Sequence, residues 1–322
     1  MLDLFAPIKE ELSSVEDVSI NSLNSDVDIV NTMGTYIAKN GGKRLRPALV
    51  ILSSKACGND SEASIKLACA VEYIHIATLL HDDVIDNSDT RRGAPSANSK
   101  WGNKSSILVG DYLFAKSFSI MVKEGNQQIM DSLANASMKM AEGEIQQLIS
   151  KYDVNIKEDK YIEIITKKTA ELIASCCEVG ALVAGAPKEQ VKAMYAYGMN
   201  IGIAFQLIDD TLDFIADVEK LGKPVCNDLL EGKVTLPLLK ILEFENGSTR
   251  SRIETILKSD TLENEDIDFV MDLIDKYKTV DYTINLAKRY ASLGKEYLKA
   301  IPENDERTIL KNLAQFIVTR QV

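Results

Sequence analysis

Apolar residues recur at spacings of three and four along nearly the whole chain. Ile65, Ala68, Cys69 and the stretch Glu72 to Leu80 make one such segment, and Ile162, Ile165, Leu172, Ala174, Val179 and Leu182 another. This period predicts amphipathic and buried helices. Only seven prolines occur, and 96–186 and 238–301 contain none, so nothing interrupts the pattern there. Breaks fall at Asn40-Gly41-Gly42, Cys57-Gly58-Asn59-Asp60, Arg92-Gly93-Ala94-Pro95, Glu124-Gly125-Asn126, Gly185-Ala186-Pro187, Leu221-Gly222-Lys223-Pro224 and Asn246-Gly247-Ser248. No alternating β-branched run closed by Asn-Gly or Asp-Gly competes, so no sheet is expected. The expectation is one all-α domain over residues 1–322, with residues 1–30 a peripheral N-terminal helix or arm. The polar stretch 11–28 is its weakest part. No 20–50-residue period repeats, which argues against an α-solenoid.

Composition narrows the classes. With 45% apolar residues in 322, the chain can bury a core, and intrinsic disorder is excluded. Lys and Arg number 37 against 48 Asp and Glu, a net charge of −11 that repels nucleic acid and anionic membrane surfaces. A phosphorylated ligand must then be held by clustered cations, or by metal ions that turn carboxylates into phosphate binders. Five cysteines (Cys57, Cys69, Cys176, Cys177, Cys226) form no C-x-x-C pair and fit reduced, buried thiols in a cytoplasmic protein. The opening MLDLFAPIKEELSS lacks the form of a signal peptide. The longest uncharged stretch, Ala193 to Ile208, has 16 residues, short of the roughly 20 that span a bilayer, so no integral membrane segment is expected.

The most informative feature occurs twice, as Asp82-Asp83-Val84-Ile85-Asp86 and Asp209-Asp210-Thr211-Leu212-Asp213. On a helix the three acids of such a motif share one face. Crowded carboxylates raise one another's pKa, and a hard divalent cation relieves the repulsion. Mg²⁺ suits the task because it takes one or two carboxylates and completes its shell with water and phosphate oxygens. A single motif could be a solvated acidic face; recurrence in the same form at the ends of two apolar helices points to metal.

A second set supplies cations. Gly41-Gly42-Lys43-Arg44-Leu45-Arg46-Pro47 places three positive charges after a Gly-Gly turn at a helix start, a setting for diphosphate. Arg91 and Arg92 follow the first acidic motif closely. His75, seven residues before Asp82, lies on the same helix face, whereas His81 is read as structural. Lys168-Thr169 and Gln206 interrupt apolar helices, either as satisfied interior polar groups or as dipoles that stabilise a developing positive charge.

Taken together, these residues resemble the trans-isoprenyl diphosphate synthases (the polyprenyl synthetases), most closely the bacterial long-chain octaprenyl and heptaprenyl diphosphate synthases that make quinone side chains. The resemblance rests on GGKRLRP at 41–47, VEYIHIATLLHDDVID with RRG at 71–93, LVGDYLFAKSF at 108–118, AEGE at 141–144, KTAEL at 168–172, GIAFQLIDDTLDF at 202–214, and LGK with DLLEGKVTLPLL at 221–239. It implies an isoprenoid-synthase helical bundle around a central cavity, usually a homodimer. By matching positions, Asp82, Asp83, Asp86, Asp209, Asp210 and Asp213 would hold Mg²⁺, three ions per site, against an allylic diphosphate. Arg91, Lys168, Lys223 and Lys233 would contact that diphosphate. Lys43, Arg46, His75 and Arg92 would bind isopentenyl diphosphate, and Thr169 and Gln206 would face the allylic carbon. The implied reaction is ionisation of an allylic diphosphate, farnesyl or geranylgeranyl, and attack by isopentenyl diphosphate. The departing diphosphate takes the proton, so no protein base is needed.

Small residues below the first motif, Thr78 and Ala77, leave a product tunnel open, whereas short-chain relatives often close it with an aromatic side chain. Leu133 is the candidate floor, ahead of Met130 and Phe118. A helix of about 20 residues spans about 30 Å, a depth suited to several isoprene units. A forty-carbon, octaprenyl product is favoured. The alternatives are a short-chain farnesyl or geranylgeranyl diphosphate synthase and a non-catalytic subunit of a heteromeric synthase. A terpene cyclase would lack GGKRLRP and the second DDxxD.

Overall fold

The computed structural model describes residues 3–23, 25–39, 42–59, 61–91, 93–215, 226–259 and 261–320. The chain is all-α, as the periodicity predicts. In order the helices are α1 (Lys9–Ser22), α2 (Asp28–Lys39), α3 (Leu45–Ala56), α4 (Glu62–Ile85), α5 (Ala97–Trp101), α6 (Asn103–Glu124), α7 (Gln127–Ile149), α8 (Glu158–Ile165), α9 (Glu171–Val183), α10 (Lys188–Ile215), α11 (Asn227–Leu230), α12 (Leu236–Phe244), α13 (Gly247–Leu257), α14 (Asn264–Tyr277), α15 (Thr279–Tyr297) and α16 (Asp305–Thr319). One correction to the sheet-free expectation is small. Among the described residues two strands, β1 (Thr90–Arg91) and β2 (Ala94–Pro95), pair antiparallel, because Gly93 at φ 76° allows the chain to double back after α4.

Packing separates into two compact units. The first comprises Met1–Ser137, Leu172–Gly198 and Glu296–Leu313. Its centre is α4, where every residue from Leu67 to Ile74 is buried, the mark of a helix enclosed on all sides. The Tyr73 hydroxyl meets the Ser19 carbonyl at 2.5 Å and the Ser22 hydroxyl at 2.6 Å, and so fastens α1 to α4. The polar 11–28 stretch is thus for the most part a docked helix. By length and composition alone α4 and α6 are apolar enough to cross a membrane; the relevant window of α4 is 67% buried within the protein, as expected of a core helix.

The second unit comprises Met138–Glu171, Met199–Lys295 and Ala314–Val322. Here one turn of π-helix, Thr166–Ala170, joins α8 to α9. Such a turn carries one residue more than an α-turn and is uncommon outside functional regions. Two glycines make room for it. A Cβ on Gly143 of α7 would stand 2.5 Å from the Lys168 nitrogen, and one on Gly202 of α10 would stand 2.7 Å from the Ala170 Cα. The backbones approach too closely for any larger residue.

Candidate functional site

The first acidic motif closes α4. Asp86 is the C-cap, with its N–H on the Asp82 carbonyl at 2.8 Å, and Ser88 N–H returns to the Asp83 carbonyl at 2.9 Å. Asp82 and Asp86, four residues apart, are half-buried; Asp83 is only 3% exposed. The strand pair explains the difference, since it brings Arg91 back so that Nε and Nη2 both donate to Asp83 Oδ1, at 2.7 and 2.6 Å. In this structure Arg91 therefore compensates a motif carboxylate. Arg92 lies outside the described residues.

The basic loop divides its charges. Arg44 sits in the left-handed region (φ 50°, ψ 33°) ahead of α3, and its guanidinium is directed to Glu72 at 2.8 Å and Glu16 at 3.2 Å. That charge is answered inside the unit. Lys43 is exposed, and Arg46 Nη1 lies 3.1 Å from His75 Nε2. A guanidinium can only donate, so Nε2 accepts and the imidazole is neutral with its proton on Nδ1. The structure thus joins two of the predicted residues through a hydrogen bond. Of the residues expected to set chain length, Ala77 and Leu133 are fully buried and Thr78 Oγ1 donates to the His75 carbonyl at 2.8 Å, whereas Met130 is half-buried and Phe118 is exposed. His81, read as structural, packs against Gly110.

In the second unit the acids of 209–213 differ sharply. Asp209 is exposed, Asp210 is 5% exposed and Asp213 is fully buried. Thr169 Oγ1 donates to Gln206 Oε1 at 2.8 Å, Gln206 Nε2 donates to Asp210 Oδ1 at 2.7 Å, and the Tyr161 hydroxyl donates to Asp210 Oδ2 at 2.5 Å. The relay fixes the Gln206 amide and joins the π-turn to the motif. Burial, followed by the nearby Asp228 charge, pushes the Asp210 carboxyl well above the usual carboxylate range. Burial likewise raises the Tyr161 phenol, with Asp210 adding to it. Asp213 has a bracing role, its Oδ2 accepting from Asp228 N–H at 2.9 Å and its carbonyl from Cys226 N–H at 2.8 Å. Lys168 Nζ stands 2.5 Å from Glu144 Oε2, and Lys233 pairs with Glu231. Lys223 lies outside the described residues.

Sequence reasoning passed over Glu72, Glu144, Tyr161 and Asp228. Glu72, Glu144 and Asp228 stand inside stretches that carry the resemblance, where a role for each was available to ask about. Tyr161 sits in a helical period with no local signal of its task. Among the described residues no three His, Cys, Asp or Glu side chains form a ready-made cation cage. The donors of each motif still fit Mg²⁺: hard oxygens, a half-buried i, i+4 pair in the first motif and an exposed Asp209 in the second, suit ions that keep waters and take few protein ligands.

An all-helical fold, twin DDxxD motifs at helix ends and an arginine–histidine pair behind a basic loop define the class, an isoprenoid synthase. The polyprenyl synthetase family model matches residues 27–274. The octaprenyl diphosphate synthase of Haemophilus influenzae is 38% identical over 96% of this chain and 94% of its own. A short chain isoprenyl diphosphate synthase of Methanothermobacter thermautotrophicus is 34% identical over 98% of both. The crystal structure of a polyprenyl synthase from Caulobacter crescentus, complexed with calcium and isoprenyl diphosphate, superposes with a TM-score of 0.94 at 39% identity, covering 99% of this chain and 97% of that one. The chain belongs to the polyprenyl synthetase family and is a prenyltransferase, a polyprenyl diphosphate synthase.

Proposed function

We propose that this synthase is Mg²⁺-dependent and extends an allylic diphosphate, farnesyl or geranylgeranyl, with several isopentenyl diphosphates to an all-trans octaprenyl product for quinone side chains. The observation that carries this reading is the division within each motif: Asp82, Asp86 and Asp209 keep solvent access, while Asp83, Asp210 and Asp213 are held by protein donors. Acids left open to solvent beside acids fixed by protein donors suit an ion that takes a few protein oxygens and keeps water. Asp82, Asp83, Asp86, Asp209, Asp210 and Asp213 are the proposed metal ligands; when bound, Mg²⁺ would neutralise the diphosphate and make it a better leaving group.

The protein's own groups do the rest. Lys43, Arg46, His75 and Arg92 hold isopentenyl diphosphate, with neutral His75 oriented by Arg46. Arg91, Lys168, Lys223 and Lys233 hold the allylic diphosphate and stabilise charge as the C–O bond breaks. The Thr169 and Gln206 oxygens, fixed by their mutual hydrogen bond, present negative dipoles to the allylic cation. Attack by the isopentenyl double bond forms the new C–C bond, and the proton lost passes to the released diphosphate. Exposed Leu108 and Val122 on α6 supply an apolar face suited to a homodimer.

Incubation of the purified chain with farnesyl diphosphate, isopentenyl diphosphate and Mg²⁺, with mass spectrometry of the dephosphorylated product, tests the reading. A forty-carbon alcohol whose formation EDTA abolishes is expected. A product that stops at twenty carbons would reject the long-chain assignment, and no elongation at all would favour a non-catalytic subunit.

A further inference from the structure

Beyond the helix α16 a side chain reaches the second acidic motif from outside it. Arg320 N–H still bonds to the Phe316 carbonyl at 2.9 Å, so the backbone follows the last turn of the helix. Its side chain is only 7% exposed. The guanidinium carbon lies 4.2 Å from the centre of the Phe205 ring, and Nη2 donates to the Phe205 carbonyl at 3.1 Å and to Asp209 Oδ1. Phe205 and Asp209 are one turn apart on α10, so the arginine spans the turn that leads into the motif. It meets the only one of the three acids that is exposed.

A buried cation on an aromatic face, tied to a carbonyl and a carboxylate, is well fixed. It also leaves Asp209 less able to serve a metal. One carboxylate oxygen is engaged, and a full positive charge already sits at contact distance. A divalent cation arriving at Asp209 must compete with that hydrogen bond and bear that repulsion.

We propose that Arg320 is a resident counter-ion of the second acidic motif, which holds Asp209 while no metal is bound and lowers the affinity of the bare protein for divalent cations. Metal loading then becomes favourable chiefly when a diphosphate brings negative charge with it. The inference rests on the reading of Asp209 as a metal ligand and adds to it a positioning residue from a distant part of the chain.

The test is Mn²⁺ binding without substrate, read as free Mn²⁺ by electron paramagnetic resonance, for the full chain and its Arg320→Gln, Arg320→Lys and Asp209→Asn variants. Arg320→Gln is expected to bind Mn²⁺ about two- to fivefold more tightly, the scale of one partly exposed ion pair, and Arg320→Lys to fall between it and the parent. Asp209→Asn should bind more weakly than the parent. Equal or weaker binding by Arg320→Gln, including no measurable binding by either protein, overturns the proposal. If Asp209→Asn binds as the parent does, the assignment of Asp209 as a ligand itself fails. Should circular dichroism show Arg320→Gln unfolded, Phe205→Leu carries the test. Loss of the ring should tighten Mn²⁺ binding in the same direction, and unchanged or weaker binding refutes the idea.

Discussion

Replacing Gly143 by alanine adds one methyl group at the point where α7 touches the π-turn. The new Cβ would lie 2.5 Å from the Lys168 nitrogen, 2.9 Å from its Cα and 3.0 Å from the Lys167 carbonyl carbon, all backbone atoms. Ordinary contact begins near 3.4 Å, so 3.4 − 2.5 = 0.9 Å must be found. The turn cannot simply retreat, because Ala170 already packs against Gly202. Overpacking of this kind costs about 1–3 kcal/mol, and the better helix propensity of alanine returns up to ~1 kcal/mol. The net loss is small, and a fall of a few °C in Tm is expected.

The functional loss should be far larger. Lys168 and Thr169 ride on the displaced turn, and a misplacement of about 1 Å in a catalytic constellation costs on the order of 10²-fold in rate. Differential scanning fluorimetry and incorporation of radiolabelled isopentenyl diphosphate measure the two effects side by side. A Gly143→Ala protein with Tm and kcat/KM both near those of the parent would show that the turn yields freely, and the idea that the two glycines lock Lys168 and Thr169 in place would be wrong.

Three further outcomes are expected. Ala77→Tyr puts a phenol into a fully buried position below the first motif, so the product ladder on thin-layer chromatography should shorten; an unchanged ladder would refute the tunnel assignment. Glu144→Gln keeps the shape beside Lys168 but removes the charge that holds its Nζ at 2.5 Å. The expected result is a kcat/KM fall of about tenfold, the scale of one charge-assisted hydrogen bond, with circular dichroism unchanged, and parental kinetics would count against a positioning role. Lys167, foremost among several donors, lowers Glu163 to about 2. A depressed carboxyl stabilises the fold above its ordinary pKa and loses that contribution as pH falls toward the folded value. The Tm gap between the parent and Lys167→Met should therefore be present at pH 6 and narrow below about pH 4; a gap that widens on acidification would reverse the sign.

How much of this was legible in the sequence depends on how local each signal is. The 3.6-residue period of α4 and α10 and the breaks between helices are local, and the fold class follows from them. The acidic motifs and the basic loop are local too. What the sequence conceals is which motif side chains face inward. Helical spacing alone puts Asp82, Asp83 and Asp86 on one face, yet Arg91, eight residues on, returns through a two-residue strand pair to hold Asp83. The strand pair itself is too short to leave a period. Tyr161 reaches Asp210 across 49 residues and Arg320 reaches Asp209 across 111, separations at which no spacing rule operates. The π-turn is invisible because its cause lies in Gly143 and Gly202, glycines of two different helices that no spacing rule pairs with 166–170.

The helix ends also separate what the chain needs for folding from what it keeps for chemistry. A helix C-terminus carries partial negative charge and favours cations, at about 0.3–1 kcal/mol for each charge. Here α4 bears Asp82 and Asp83 in its last turn with Asp86 as its cap, and α10 bears Asp209, Asp210 and Asp213 in its last two turns. The start of α3 is inverted in the opposite sense, with Arg44 as N-cap and Arg46 in the first turn, where acids would be favoured. For Asp83 and Arg44 the structure answers the misplaced charge with an oppositely charged side chain, Arg91 and Glu72. Asp210 receives neutral donors instead, and burial, followed by the Asp228 charge, pushes it toward its protonated form against them. Acids gathered where helices end and cations gathered where one begins lower the stability of the bare protein. The same arrangement is what a polyanion accompanied by divalent cations would reward, since each misplaced charge then finds a partner of opposite sign. Folding tolerates the strain because α4 is enclosed along its middle by apolar residues that owe nothing to its ends.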